Sequence, residues 1–220
     1  AMNTRHVLAP QNFDRPCTPA LYTAQGVFKA IEATAKHLFP NQALDTLTMS
    51  IQGLGHVGLP LLKLLHRSGV TLLVSDIDQT LGMKIANQYG ATWIEPCAIH
   101  CQPCDFFVPC ALGGIIHSTS IDEIKAAAVV GSANNMFEDI VHDANHAHDK
   151  GIVCVPDFIA NGGGLIHAAD LFGKKSSEET QRKIQNIFDT VIDVLYASAK
   201  QNLPPIEIAN RIALARIEEA

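Results

Sequence analysis

The 220-residue sequence has no apolar run of the roughly 20 residues that a membrane-spanning helix needs, so we expect no membrane association. It also lacks a basic stripe. With 22 acidic and 16 basic residues its net charge is −6, which argues against nucleic acid as a partner. No secretory signal pattern precedes the polar residues 3–6, so we expect a cytoplasmic protein. Charged residues make up only 17% against 47% hydrophobic, which permits a large core.

Patterns typical of metal sites are missing or incomplete. The ten histidines include no H-E-x-x-H motif, and the helical neighbours His142 and His146 have no evident third ligand. Cys101 and Cys104 form a C-x-x-C in a cluster that also contains Cys110, which leaves a zinc or redox site as an alternative. Because structural zinc sites usually present two separate ligand pairs, we favour reduced thiols and expect no metal.

What the chain does contain is organised around residues 47–78, whose pattern is strand, glycine turn, helix, strand and acid. Gly53, Gly55 and Gly58 supply the spacing G-x-G-x-x-G directly after an apolar run. The first glycine permits a tight turn, the second lets the backbone approach a pyrophosphate, and the third lets the helix pack on the strand. We therefore predict a dinucleotide site. A tight βα turn without a ligand is the alternative.

The acid that closes this segment is Asp76, at the end of a second apolar strand. It follows Gly58 by eighteen residues, which is about where a carboxylate accepts the hydroxyls of an adenosine ribose. No arginine stands in the residues just after it to receive a 2′-phosphate. The pattern therefore favours NAD over NADP.

Short apolar segments alternate with helical segments along most of the chain, and this predicts a Rossmann-type, doubly wound, mostly parallel α/β sheet with added N- and C-terminal helices. The six predicted strands lie at residues 47–52, 70–75, 91–94, 104–109, 126–130 and 151–155. Glycine-rich or small polar clusters lie at or just past the strand ends: GLGHVG, SDID, PCALGG, GSANN and IANGGG. Since ligands bind at the carboxyl ends of such strands, we expect these clusters to share one groove.

The helical segments define the predicted organisation of the chain. We expect an extended arm at 1–17, a dinucleotide-binding domain with a leading helix at 18–175, and C-terminal helices at 176–220 that pack on this domain, on a missing domain or on a partner.

Capping boxes mark where several of these helices should begin. Ser120 with Glu123 and Ser176 with Glu179 have the S-x-x-E spacing that predicts helix starts. A further helix is predicted over residues 136–149.

Four segments carry a resemblance to a known family: TPALYTAQGV at 18–27, CDFFVPCALGGII at 104–116, GSANN at 131–135 and GIVCVPDFIANGGGLI at 151–166. On these motifs the sequence resembles the nucleotide-binding half of the Glu/Leu/Phe/Val amino-acid dehydrogenase family, most closely the leucine, phenylalanine and valine dehydrogenases. The resemblance extends from about residue 15 to residue 218.

The resemblance implies NAD-dependent oxidative deamination of an L-amino acid to a 2-oxo acid. It places the pyrophosphate at the glycine turn, the adenosine ribose at Asp76, and the nicotinamide end near Asn135, Asn161 and Thr23. The backbone at 110–112 would line the groove. The implied cofactor-binding residues are Gly53, Leu54, Gly55, His56, Val57, Gly58, Asp76, Ile77, Cys110, Ala111, Leu112, Asn135, Asn161 and Thr23.

The family also has a substrate domain before this half, with catalytic lysines and an aspartate, and no segment of this sequence matches it. We therefore expect the NAD-binding domain of a dehydrogenase for branched-chain or aromatic L-amino acids, acting on substrate only together with such a domain. The catalytic residues are accordingly unknown. Alternatives are a non-catalytic NAD-binding regulatory module and a different dehydrogenase whose base is His56 or Asp157. We also expect the chain to self-associate.

Overall fold

The computed structural model describes residues 18–218, so the arm predicted at 1–17 lies outside the described residues. The helices are α1 (Thr18–Leu38), α2 (Gly58–Arg67), α3 (Gln79–Tyr89), α4 (Ser118–Glu123), α5 (Ile140–Asp149), α6 (Asp157–Ala160), α7 (Gly163–Phe172), α8 (Ser177–Gln201) and α9 (Pro205–Glu218). The strands are β1 (Thr48–Gln52), β2 (Thr71–Ser75), β3 (Thr92–Trp93), β4 (Phe106–Pro109), β5 (Ala128–Val129) and β6 (Val153–Cys154).

The strands form one parallel sheet in the order β3-β2-β1-β4-β5-β6. Met49 of β1 pairs with Leu72 of β2 on one side and with Phe106 of β4 on the other. The chain winds outward from β1 in one direction and from β4 in the other, so the strand order reverses between them. This arrangement confirms the predicted Rossmann-type fold, and it opens a crevice at the carboxyl ends of β1 and β4.

Helices cover both faces of the sheet because the central strands are apolar on both faces. The neighbouring β4 residues Phe106 and Phe107 are both fully buried, yet they belong to different core clusters. Successive side chains of a strand point to opposite faces, so each phenylalanine fills one layer. Ile51 and Leu61 share the layer of Phe106.

Two helix starts differ from the prediction. In α4 the N-cap is His117, whose ring accepts a hydrogen bond from the Ser120 backbone N–H, so Ser120 lies at the third helical position. The Ser120 hydroxyl donates to the Ile115 carbonyl, which lies before the helix. The predicted start at Ser120 with Glu123 is therefore wrong, since the helix already ends at Glu123.

The helix predicted from residue 136 begins four residues later, at Ile140. Residues 136–138 are extended and bond across to Ile116, whose N–H donates to the Met136 carbonyl at 2.8 Å. Asp139 then caps the helix by accepting from two backbone N–H groups. A long-range backbone pairing thus overrides the helical pattern.

The C-terminal helices share a core with the sheet domain. Ile184, Ile187 and Val191 of α8 belong to the main core cluster, and α8 packs along α1. The capping box of Ser176 with Glu179 is present as predicted, with bonds of 3.2 and 3.1 Å. The boundary at residue 176 stays a prediction. No helix within residues 18–218 is both long and apolar enough to cross a bilayer.

Candidate functional site: a groove at the carboxyl ends of the strands

The glycine turn joins β1 to α2 in a conformation that requires glycine. Gly53 has a φ of 93°, and its N–H donates to the Ser75 carbonyl of β2 at 2.8 Å. A Cβ at Gly58 would lie 1.9 Å from the Gly53 carbonyl oxygen, so only glycine lets the helix start so close to the strand. A Cβ at Gly55 would meet no atom within 4 Å. The turn is therefore closely packed at Gly53 and Gly58 and open to solvent at Gly55.

Asp76, at the end of β2, is fixed directly beside this turn. Its Oδ2 accepts from the Leu54 backbone N–H at 2.6 Å, and its Oδ1 accepts from the Asp78 N–H at 2.9 Å. Each carboxylate oxygen keeps a further lone pair, so the group can still accept two hydroxyl protons. Ile77 is 95% exposed next to it. The predicted acid and the predicted glycine turn thus form one surface.

The loop after β4 lies against the inner side of the same turn. The Cys110 N–H donates to the Gln52 carbonyl at 2.7 Å, and a Cβ at Gly53 would lie 3.0 Å from the Ala111 Cβ. Leu112 is 86% exposed. Residues 110–112 therefore border the glycine turn across the crevice between β1 and β4.

The loops after β4, β5 and β6 are joined to one another by hydrogen bonds. Asn135, with a φ of 50°, donates its N–H to Asp157 Oδ2 at 2.6 Å and accepts at its carbonyl from the Gly114 N–H at 2.9 Å. Asn161 donates from Nδ2 to the Asn134 side-chain oxygen at 2.7 Å. The predicted residues Asn135 and Asn161 are therefore held on adjacent loops.

Thr23 reaches this region through α1, which crosses the start of α7. Its hydroxyl donates to the Pro19 carbonyl at 3.1 Å, and a Cβ at Gly164 would lie 2.4 Å from the hydroxyl oxygen. Gly164 follows Asn161 in the I-A-N-G-G-G segment, so Thr23 lies beside that loop. Two other predicted residues flank the start of α2: His56 is exposed and Val57 is half-buried.

Sequence reasoning missed the side chains that hold these loops in place. Asn134 positions the amide of Asn161, and the signal was its place in GSANN beside Asn135. The sequence alone suggests Asp157 only as a possible base. Its two oxygens accept the backbone N–H groups of Asn135 and Phe158, which makes it a brace between the loops.

The cysteines described in the structure are free thiols in dissimilar surroundings. Burial raises the pKa of the Cys154 thiol to about 12; burial, and secondarily the charge of Asp105, raise that of Cys104 to about 12. Burial also raises the pKa of Cys110 in the groove. Between residues 18 and 218 no three His, Cys, Asp or Glu side chains are arranged to hold a metal ion.

These surroundings predict selective alkylation. At a pKa of about 12, roughly one thiol in ten thousand is ionised near pH 8, and the thiolate is the reactive form. Iodoacetamide on the native chain is therefore expected to modify the exposed Cys97 well before Cys154 and Cys104. Peptide mass spectrometry over a time course measures the rates, with the urea-unfolded chain as control. Equal native rates at Cys97 and Cys154 would contradict the burial.

The sequence of this chain is similar to those of amino-acid dehydrogenases. The chain is 36% identical over 200 residues to leucine dehydrogenase of Thermoactinomyces intermedius, covering 91% of the chain and 54% of that protein. It is 36% identical over 214 residues to phenylalanine dehydrogenase of Lysinibacillus sphaericus, covering 95% and 56%. The chain thus spans about half the length of the curated relatives it matches.

A solved structure and a family model indicate the same family as these relatives. The crystal structure of L-tryptophan dehydrogenase from Nostoc punctiforme superposes with a TM-score of 0.88 at 34% identity, over 91% of this chain and 60% of that one. Residues 74–220 match the family described as Glutamate/Leucine/Phenylalanine/Valine dehydrogenase. The predicted resemblance is confirmed: the chain belongs to the Glu/Leu/Phe/Val amino-acid dehydrogenase family.

Proposed function

We propose that this chain is the NAD-binding part of a dehydrogenase that oxidatively deaminates a branched-chain or aromatic L-amino acid to the 2-oxo acid. One observation carries the cofactor part of the proposal. Asp76 Oδ2 lies 2.6 Å from the Leu54 N–H, so the carboxylate at the end of β2 and the glycine turn after β1 form a single surface. In a doubly wound sheet that surface lies where dinucleotides bind.

The residues present fit such a cofactor. The open space over Gly55 gives a pyrophosphate close access to the backbone at the start of α2, where N–H groups and the positive end of the helix dipole favour an anion. Asp76 would accept both ribose hydroxyls, and a 2′-phosphate would meet its negative charge and that of Asp78. We therefore propose NAD over NADP.

The groove beyond the pyrophosphate would orient the rest of the cofactor. In this proposal the backbone at 110–112 borders the nicotinamide ribose, and Asn135, Asn161 and Thr23 fix the nicotinamide end. NAD, when bound, supplies the acceptor for the hydride that leaves the substrate carbon. The chain's own contribution is orientation, which makes an otherwise bimolecular step effectively unimolecular.

The residues of the groove do not present a general base for the proton transfer that oxidative deamination requires. Asp157 uses both oxygens on backbone N–H groups, so it braces the loops. Lys29 and Lys36 belong to α1 and Lys63 belongs to α2, so none of the three is part of the five loop clusters. We propose that the substrate carboxylate, the attacking water and the general base are handled by residues of a substrate domain.

A turnover assay tests the proposal that this chain binds the cofactor but lacks the general base. The 220-residue chain with NAD and leucine, valine or phenylalanine is expected to form no NADH above the blank, because it holds the cofactor without a tuned base. Absorbance of NADH is followed, with a full-length leucine dehydrogenase as positive control. Robust NADH formation by the chain would contradict the proposal. An upstream reading frame encoding a substrate domain would favour it over the non-catalytic NAD-binding module.

We also propose that the chain self-associates through its C-terminal helices. Tyr196 of α8 and Leu214 and Ile217 of α9 are 59%, 60% and 72% exposed, which leaves apolar surface uncovered. Multi-angle light scattering is expected to give a mass above the 23.7 kDa of one chain, falling when Leu214 and Ile217 are both replaced by glutamate. A clean monomer at high concentration would contradict this.

A further inference from the structure

The start of α7 lies closer to α1 than a residue with a Cβ would allow. A Cβ at Gly163 would lie 2.0 Å from the Tyr22 carbonyl oxygen. A Cβ at Gly164 would lie 2.4 Å from the Thr23 hydroxyl oxygen. Asn161 stands just before these glycines in the chain. The crossing of α1 and α7 therefore sets where Thr23 lies relative to Asn161, and these two residues are proposed above to fix the nicotinamide end of the cofactor.

About one turn further along α7, an aromatic pair continues this contact. The ring of His167 stacks on that of Tyr22, with centroids 4.1 Å apart and planes inclined by 22°. His167 is 8% exposed. Burial lowers the pKa of its imidazole, against a smaller opposing effect of the Asp170 charge, so the ring is neutral at pH 7. A neutral aromatic ring thus joins the two helices at a defined distance and tilt.

A buried carboxylate holds α7 to a third helix. Asp170 lies one turn after His167 and is 4% exposed. It accepts a hydrogen bond from the Thr180 hydroxyl of α8 at 3.0 Å and another from the Lys183 ammonium group. Hydrogen bonds between charged groups are stronger than neutral ones. Because α7 is held by the ring stack on α1 and by Asp170 on α8, loss of the stack leaves it attached on one of these sides only.

The two residues at this crossing offer hydrogen-bond acceptors. The Thr23 hydroxyl proton is used on the Pro19 carbonyl at 3.1 Å, so its oxygen keeps lone pairs for a donor. Asn161 donates from Nδ2 to the Asn134 side-chain oxygen at 2.7 Å, and its own side-chain oxygen can accept. The carboxamide of nicotinamide has two N–H bonds to donate. Its recognition therefore depends on the relative placement of α1 and α7.

We propose that the Tyr22–His167 stack positions the nicotinamide end of the cofactor, by holding α1 and α7 at the angle at which their two acceptors meet the carboxamide. Tyr22 and His167 are positioning residues, because they act through Thr23 and Asn161. This role rests on the proposed NAD-binding function. The glycine turn and Asp76 belong to β1, α2 and the end of β2, so the adenosine and pyrophosphate should bind as before when the stack is lost.

Two ligands separate the ends of the cofactor in the test. NADH carries the dihydronicotinamide ring, and ADP-ribose has the same adenosine, pyrophosphate and second ribose without that ring. Calorimetric titration of the 220-residue chain with each gives two dissociation constants, whose ratio measures the contribution of the ring. His167→Ala is expected to weaken NADH binding about three- to tenfold, the range of one aromatic pair, and to leave ADP-ribose binding unchanged.

Two further variants extend the test. His167→Phe keeps a ring that can stack on Tyr22, so it should restore the affinity for NADH. Tyr22→Leu removes the partner ring at a half-buried position and should weaken NADH binding as His167→Ala does. It therefore carries the test if His167→Ala fails to fold.

His37→Ala is the matched control. His37 forms another histidine–tyrosine contact, with Tyr196 of α8 at 5.0 Å between ring centroids, near the opposite end of α1 from Tyr22. Its loss should leave the ratio of the two dissociation constants unchanged.

The ratio of the dissociation constants decides the outcome. The proposal is overturned if His167→Ala weakens NADH and ADP-ribose binding equally, if it changes neither, or if His37→Ala alters the ratio as much. Equal binding of NADH and ADP-ribose by the unmodified chain would also overturn it, while the groove would still bind the adenosine end. If the unmodified chain binds neither molecule, the proposed function itself fails, and this proposal with it.

Discussion

Replacing Gly55 by alanine is expected to weaken NAD binding at least tenfold, about 1.4 kcal/mol, without changing the stability of the chain. A Cβ at this position meets no atom within 4 Å, so the fold has room for a methyl group. That same space is where the proposed pyrophosphate approaches the backbone. The substitution therefore affects the ligand and leaves the fold intact. Calorimetric titration with NAD and thermal denaturation measure the two effects separately.

Gly58→Ala is the matched comparison, because its added Cβ would lie inside the packed turn and not in the open space over Gly55. Its Cβ would lie 1.9 Å from the Gly53 carbonyl oxygen and 3.3 Å from the Cys110 Cβ, so the turn must open. We expect a loss of about 1–3 kcal/mol in the free energy of unfolding together with weaker NAD binding. If Gly55→Ala binds NAD like the unmodified chain, the pyrophosphate does not lie over this turn.

Asp76→Ala is expected to weaken NAD binding by about 1–3 kcal/mol, because an acceptor for the ribose hydroxyls is lost in a partly buried site. The variant also leaves the Leu54 N–H without its 2.6 Å partner, which loosens the turn. Isothermal titration with NAD measures the effect. Titration of the same variant with NADP should show a smaller loss or a gain, since the negative charge facing a 2′-phosphate is gone.

Asp78→Ala is the control for this prediction. Asp78 is two residues away and caps α3 by accepting from the Leu81 N–H at 3.0 Å. Its removal should cost about 1 kcal/mol of stability as a lost N-cap, with little change in NAD affinity. Equal effects of the two substitutions on NAD affinity would show that Asp76 acts through local structure and not through the ribose.

Local signals were sufficient for much of the fold. β1, β2 and β4 lie within the predicted strands, because buried parallel strands are continuous apolar runs bounded by glycine or proline. Gly90 ends α3 in the left-handed conformation, with a φ of 64°, as a glycine after a helical pattern predicts. These features depend on residues close together in sequence.

Features that depend on distant residues could not be predicted in this way. The delayed start of α5 follows from the pairing of residues 136–138 with Ile116, about twenty positions earlier in the chain. β3 and β6, the two edge strands, and β5 beside β6 are only two residues long, because each is paired over no more than that length.

In the candidate site, too, features set by residues close in sequence could be predicted, and features set by distant residues could not. Gly53, Gly55, Gly58 and Asp76 could be placed from spacing, since turn, helix and strand end follow one another within thirty residues. That Asn134 would hold Asn161, 27 residues away, was not readable from either loop.

The central claim is that this chain binds NAD in the groove between β1 and β4, and titration of the purified 220-residue chain with NAD by isothermal calorimetry tests it most directly. We predict saturable binding at one site per chain, with NADP binding more weakly because its 2′-phosphate faces Asp76. No saturable binding of NAD, or tighter binding of NADP, would contradict the account.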